Sequence, residues 1–328
     1  MSKRRITKQQ HLRIKTKQQS YYQQSNSQQA STGSSLAQEY GLVIRCFGRQ
    51  AEVETTAKQR ILCSVRTHIE TIVAGDIVVW QATTKDHGVI LSCTPRHSVL
   101  TRPDRHKSDK PVAANISQMI IVVAPIPEIN WLLLDSYLVM AEISKIKPCI
   151  ILNKADLPHE LIYKEIELTY IPLGYSILTL SRISPSNYPV LEKILSGETS
   201  VFVGQSGVGK SSIISKLLPQ ESIAVGSVSD SAQLGRHTTT NSQYYHLPAG
   251  GALIDSPGIR SLHLGERNKE TIISGFKELK KLAVQCKFSN CNHSENTPQC
   301  AVQAALAQNK ISPRRFNSFL YLINQISD

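Results

Sequence analysis

The sequence predicts an α/β fold flanked by a small β-barrel and a metal-binding, partly helical module. Three observations carry this. Short strands separated by turn residues fill the stretch from 40 to about 96. From about 113 to 262, buried apolar runs alternate with helical patterns, and one run leads directly into a glycine-rich turn, VFVGQSGVGKSSI at 201–213. Near the C-terminus, three cysteines and a histidine fall within the fifteen residues 286–300.

The 328 residues suit about two domains, and 41% of them are apolar, enough for a sizeable core. No apolar run reaches the ~18–20 residues of a membrane span. The longest candidate, WLLLDSYLVMAEI, is interrupted by Asp135 and Glu142. The net charge of +12 is uneven: residues 1–35 hold seven Lys or Arg (Lys3, Arg4, Arg5, Lys8, Arg13, Lys15, Lys17) and no acid. The rest carries 30 basic and 25 acidic residues. Residues 1–37 are therefore expected to be a disordered basic arm on a near-neutral body. Such an arm suits a polyanionic partner, most simply nucleic acid, with a solubilising tail or a transit peptide as alternatives.

Residues 38–97 are expected to form an OB-like barrel. Its strands read YGLVIRCF, AEVETT, RILCSVRT, DIVVWQAT and GVILSCT, punctuated by Gly48, Gly75-Asp76 and Asp86-His87-Gly88. An SH3-like barrel gives the same pattern. Residues 98–112 are basic and lack periodicity, so a linker is expected. The α/β domain is expected over 113–265. QMIIVVA, PCIILNK, SILTLS and SVFVG are strands covered on both faces, and NWLLLDSYLVMAEISK is a helix. QYYHLPAGGALIDSPG reads as two strands about a turn. Residues 266–328 complete the chain as the metal-binding module.

Gly204-Gln205-Ser206-Gly207-Val208-Gly209-Lys210-Ser211, followed by Ser212, matches G-x-x-x-x-G-K-[ST] in full. Backbone N–H groups at the glycines and the following helix N-terminus are suited to phosphate oxygens. Lys210 would reach the β- and γ-phosphates, and Ser211 would ligate Mg²⁺. Upstream, Asn153-Lys154-Ala155-Asp156 follows the strand CIIL. Asp156 is suited to accept from the N1–H and the 2-amino group of guanine. Adenine would leave the carboxylate unpaired, at about 1–3 kcal/mol or more. A site of that kind rejects the analogue lacking the donor by roughly 10⁴-fold. Asn153 would hold the adjoining segment, and the Lys154 stem would cover the base. Asp255-Ser256-Pro257-Gly258 follows the strand ALI. Asp255 would reach Mg²⁺ through water, and the Gly258 N–H would sense the γ-phosphate. GRHTTT at 235–240 places threonines where one can ligate Mg²⁺ when the γ-phosphate is present. Ile259 occupies the position after Gly258 where a water-orienting glutamine often sits. That predicts slow intrinsic hydrolysis, with His237 the nearest substitute.

Of the seven cysteines, Cys46, Cys63, Cys93 and Cys149 lie singly in apolar runs and read as core thiols. Cys286, Cys291, His293 and Cys300 supply three thiolates and one imidazole from a loop containing Asn290, Asn292 and Pro298. Zn²⁺ in a closed, structural site is the default for that donor set. No secretory signal is recognised, so a reducing, cytoplasmic location is expected.

The order N-K-x-D, then G-x-S-G-V-G-K-S, then D-x-P-G is that of the circularly permuted GTPases. With the barrel upstream and C-x₄-C-x-H-x₆-C downstream, the chain resembles the RsgA family. RPD at 102–104, AANISQ at 113–118, GQSGVGKSS, GRHTTT, DSPGIR and the basic start all share in the resemblance. The fold it implies is a circularly permuted P-loop GTPase domain with an N-terminal OB-like barrel and a C-terminal zinc-binding module. It implies that Thr239 is the magnesium-binding threonine of switch I and that His237 assists hydrolysis. It implies that Cys286, Cys291, His293 and Cys300 hold one zinc. The function implied is GTP hydrolysis in late maturation of the small (30S) ribosomal subunit, stimulated by that subunit, with GTP/GDP, Mg²⁺ and 16S rRNA as ligands. A monomer without membrane association is expected. Two features depart from the family: Arg182 in LSRISP stands where a small residue often faces the base, and the tail after Cys300 is short. A parallel sheet gathers its loops at one edge whatever the connectivity, so permuted motifs can still surround one nucleotide. The permutation puts the chain's exit just after Asp255–Gly258, so nucleotide state is expected to move the zinc module against the barrel. A GTP-gated RNA-binding scaffold and a permuted GTPase acting on another RNA particle are the alternatives.

Overall fold

The computed structural model describes residues 37–103, 109–219, 242–255, 268–295 and 297–325. All but the last residue of the basic arm lies outside that set.

The expected barrel strands form β1 (Gln38–Phe47), β2 (Gln50–Thr55), β3 (Arg60–Val65), β4 (Ile77–Ala82) and β5 (His87–Cys93). They pair in the order β1-β2-β3-β5-β4 and close through β4 onto β1, with only β3–β5 parallel. Closure removes exposed edges, and the Greek-key order is that of an OB-fold rather than an SH3-like barrel. Val43, Val53, Cys63, Val78, Trp80 and Ile90 alternate inward to form the barrel core.

The segment expected as a linker is structured. Strands β6 (Val99–Pro103) and β7 (Asp109–Ala114) pair antiparallel. Leu100 and Ala113 from this hairpin are buried in the main core. The apolar positions are few and lie among five Lys and Arg residues between 96 and 110, so no period is visible in the sequence. Asn115 then stitches the hairpin to the barrel: its Nδ2 donates to Gly75 O at 2.9 Å, and its Oδ1 accepts from His97 N at 3.1 Å.

The α/β sheet contains β8 (Gln118–Val123), β9 (Lys147–Leu152), β10 (Ser176–Thr179), β11 (Thr199–Val203), β12 (Gln243–His246) and β13 (Ala252–Asp255). Their spatial order is β10-β9-β8-β11-β13-β12, parallel except for β12, which continues onto β1 of the barrel. β8 is buried at every position, as its continuous apolar run requires. The permutation is visible at the centre. The chain lays β8, β9 and β10 outward on one side, then returns β11 beside β8 and fills the other side. Helices α1 (Trp131–Ile143), α2 (Glu160–Tyr170), α3 (Tyr188–Leu195) and α4 (Lys210–Leu217) cover the faces.

The C-terminal module contains α5 (Lys269–Gly275), α6 (Lys277–Ala283), α7 (Ala301–Ala307) and α8 (Pro313–Asn324). It does not merely hang from the segment after Asp255. Its core includes Val139 of α1 beside Phe276, Phe316 and Phe319. α1 is apolar on most of its circumference because it is covered by the sheet on one side and this module on the other. A buried charge network pins the junction. Arg315 of α8, 1% exposed, donates Nη1 to Asp135 Oδ1 at 2.7 Å and pairs with Glu278 of α6. Tyr170 of α2 donates its hydroxyl to the same Asp135 oxygen at 2.7 Å. The short tail after Cys300 ends in a twelve-residue helix that packs within this module.

Candidate nucleotide site and metal centre

Parallel strands bring the C-terminal ends of β8, β9, β10, β11 and β13 to one edge, where the phosphate loop and the 153–156 motif follow their strands and Asp255 ends its own. The phosphate-loop sequence leaves β11 as a turn with positive φ at Gly204 (136°), Gly207 (80°) and Gly209 (95°). Two of these glycines are required twice over. A Cβ on Gly204 would lie 2.2 Å from Val122 O, and one on Gly209 would lie 2.3 Å from Asn153 Nδ2. Ser206 and Gly207 are exposed, Val208 is buried, and Lys210, Ser211 and Ser212 open α4. Lys210 Nζ donates to the carbonyls of Gly204 and Gln205, both at 2.7 Å. Gln205 Oε1 accepts from Asn130 N at 3.3 Å, tying the loop to the start of α1.

The upstream motif is bolted onto this loop. Asn153 follows β9, is 1% exposed, and donates Nδ2 to Val208 O at 2.8 Å. Its Oδ1 is buried without a partner among the described residues. Lys154, held at φ 58°, donates Nζ to Gly207 O and Ile126 O, both at 2.8 Å. Asp156 is exposed, with its Oδ1 accepting the Ser181 hydroxyl at 2.7 Å. Asp255 ends β13 in register with Gln243. His237, Thr239 and Gly258 lie outside the described residues.

Ser181 is the functional candidate that the sequence reading missed. It follows β10, and its Oγ also accepts the N–H groups of Ile183 at 3.1 Å and Ser184 at 3.2 Å. The small residue of this loop is thus Ser181, while the neighbouring Arg182 is exposed. A serine ending the strand SILTLS, at the same sheet edge as Asp156, was the available signal. Tyr137 is a second omission. It is buried on α1 beside the loop, and burial raises its phenol pKa against an opposing hydrogen bond from the Gly204 backbone.

At the other end of the chain, Cys286, Cys291, His293 and Cys300 bring their ligand atoms within 4.8 Å of one another. Cys286 Sγ lies 3.9 Å from Cys300 Sγ and 3.7 Å from His293 Nδ1, and Cys300 Sγ lies 3.5 Å from that nitrogen. A tetrahedral ion with metal–sulfur bonds near 2.3 Å implies S···S of about 3.8 Å and S···N of about 3.5 Å. The spacing fits, and the four residues could hold a metal ion. Burial, then the charge of Lys269, lowers the His293 pKa, which favours the neutral ring that a metal ligand needs. Burial opposes ionisation of Cys286, yet N–H donation from Ala301 and Val302 at the start of α7 holds its thiol below the ordinary range.

Reversed motif order, one shared edge and a parallel sheet define a circularly permuted GTPase. The solved structures agree. YjeQ from Thermotoga maritima superposes with a TM-score of 0.71 at 29% identity, covering 88% of this chain and 98% of that one. YloQ, described as a circularly permuted GTPase, gives 0.71 at 26% identity over 91% and 98%. A sequence model of the RsgA GTPase matches residues 93–265. The small ribosomal subunit biogenesis GTPases RsgA of Hahella chejuensis and Marinobacter nauticus are 40% and 41% identical, each aligned with all of this chain and with 98% and 97% of their own lengths. The chain belongs to the RsgA family of ribosome-biogenesis GTPases and is a GTP hydrolase. Family membership among GTPases sets aside the non-enzymatic scaffold.

Proposed function

We propose that this protein binds the 30S subunit and its 16S rRNA, and hydrolyses GTP to GDP and phosphate late in subunit maturation, with the subunit raising the rate. The observation that carries the catalytic part is the pair of contacts Asn153–Val208 and Lys154–Gly207, each 2.8 Å. They fasten the base-reading segment to the phosphate loop although the chain order is reversed. The curated relatives' name, small ribosomal subunit biogenesis GTPase, supports the partner.

In this reading Asp156, oriented by Ser181, accepts from N1–H and the 2-amino group of guanine. Lys154 covers the base. Lys210 exchanges its two loop carbonyls for β- and γ-phosphate oxygens, and the amides of 204–212 surround the phosphates. Ser211, Thr239 and Asp255 would hold Mg²⁺ directly or through water, and the metal supplies positive charge to the phosphate oxygens when bound. Water attacks the γ-phosphorus in line with the departing GDP oxygen. His237 assists by orienting that water, and the missing glutamine at 259 keeps the unstimulated rate low. Cys286, Cys291, His293 and Cys300 hold one structural Zn²⁺, because three thiolates and an imidazole leave no open position.

Among the described residues, no helix is long and apolar enough to cross a membrane. Action on a ribosomal subunit supports a cytoplasmic location, and a monomer is proposed with it. GTP turnover titrated with separated 30S and 50S particles tests the function. A saturating rise with 30S alone supports it. Equal rates with both, or no rise with either, contradicts it.

A further inference from the structure

One short strand runs between the barrel and the nucleotide edge, beside the contacts that Gly75 and Ala74 make with Asn115 and Ala114. β12 hydrogen-bonds β13 on one side and β1 on the other. At its first residue, Gln243 stands opposite Asp255 of β13 and opposite Arg45 of β1. The row continues into the barrel, where Arg45 stands opposite Glu52 and pairs with it, and Arg60 of β3 lies 3.4 Å from the same carboxylate. β1 is bent to make this possible. It pairs β4 over 38–42, is irregular between Val43 and Arg45, and is in register with β12 at Arg45.

The far end of β12 is latched by side chains. His246 Nε2 lies 2.9 and 3.0 Å from the two oxygens of Glu54 on β2 of the barrel. Lys58 Nζ adds a third contact to that carboxylate at 2.8 Å. Glu54 is only 6% exposed. Burial opposes its charge, but donation from Lys58 and His246 prevails and its pKa is lowered. The His246 ring is packed edge-on against Tyr244 at 5.3 Å, so its direction is fixed.

We propose that β12 is the coupling element between the barrel and the nucleotide edge, and that His246 and Glu54 are its positioning pair. A displacement of Asp255 at one end of β13 moves Gln243 and Arg45 through backbone pairing, because a strand is stiff along its length. The His246–Glu54 latch makes β2 follow instead of letting the strand pivot about its pairing with β1 at Arg45. A partner docked on the barrel acts in reverse, by the reciprocity of coupling. Neither residue belongs to the predicted nucleotide motifs. The coupling rests on the placement of Asp255 at the nucleotide, and the role of the subunit on the function proposed above.

Hydrogen exchange of the full chain with GDP or a non-hydrolysable GTP analogue tests the coupling without the ribosome. Residues 45–55 should exchange differently in the two states. His246→Leu should erase that difference, and His246→Gln, which keeps an N–H donor toward Glu54, should restore it. Should His246→Leu fail to fold, Glu54→Met, which leaves His246 no acceptor, replaces it in the same comparison, with loss of the difference again expected. The absence of a difference in the wild type, or its persistence in the latch variant, overturns the proposal. In turnover, the unstimulated rate of His246→Leu should stay within about twofold of wild type while stimulation by 30S falls by about 2- to 30-fold. If 30S does not stimulate the wild type, the functional reading fails, and the exchange comparison still decides the coupling.

Discussion

Replacing Ser181 with alanine removes one donor to Asp156 and the acceptor for two loop N–H groups. A hydrogen bond to a charged group is worth about 1.5–3 kcal/mol when buried. Asp156 is exposed on its other side, so about 1–2 kcal/mol is the appropriate figure for the intact contact. That converts to a rise in the GDP dissociation constant of about 5- to 30-fold. Fluorescence anisotropy with labelled GDP measures it directly, with thermal melting as the control for folding. Inosine diphosphate sharpens the test because it lacks the 2-amino group. Ser181→Ala should narrow the GDP-to-IDP affinity ratio, since a misdirected carboxylate loses the second donor first. A GDP affinity within twofold of wild type, in a variant that melts normally, would refute the assigned role.

Arg315→Met leaves Asp135 buried without its principal charge partner, and denaturant titration should show a loss of about 3–5 kcal/mol. Adding Asp135→Asn should recover part of that loss, and no recovery would show that packing rather than charge dominates. Burial pushes Cys46 and Cys93 up to about 12 and Cys63 and Cys149 up to about 11, so the thiolate fraction at pH 8 is on the order of 10⁻⁴ to 10⁻³. Alkylation of these four in the folded protein should be slow and rise about tenfold per pH unit. Chelation should make Cys286, Cys291 and Cys300 reactive, as mass spectrometry of the labelled peptides would show. Deleting residues 1–35 should weaken subunit binding and flatten its dependence on salt, and an unchanged salt slope would remove the arm from the interface.

The motifs were legible because their chemistry is local. A phosphate loop requires glycines and a lysine at fixed spacing, and a closed metal site requires soft donors within one loop. The parallel strands were legible from their continuous apolar runs, as in QMIIVVA and PCIILNK. What escaped notice depends on contacts between distant segments. The β6–β7 hairpin hides its few apolar residues among charges, and only burial against the main core shows why Leu100 and Ala113 are there. Ser181 acquires its role from Asp156, 25 positions away. The docking of α8 could not be read either, because Arg315 looks like an ordinary surface charge until Asp135 and Glu278 are brought to it. The Glu54–His246 latch spans 192 positions and matches no motif.

The central claim is that an upstream base-reading segment serves a downstream phosphate loop. Calorimetric titration of GDP, ADP and xanthosine diphosphate against wild type and Asp156→Asn tests it most directly. Wild type should bind GDP and discriminate against ADP by roughly 10⁴-fold. In the variant the amide N–H faces a 2-amino donor, so GDP should weaken, while xanthosine diphosphate, with an acceptor at that position, should gain. Unchanged base preference in Asp156→Asn would contradict the account.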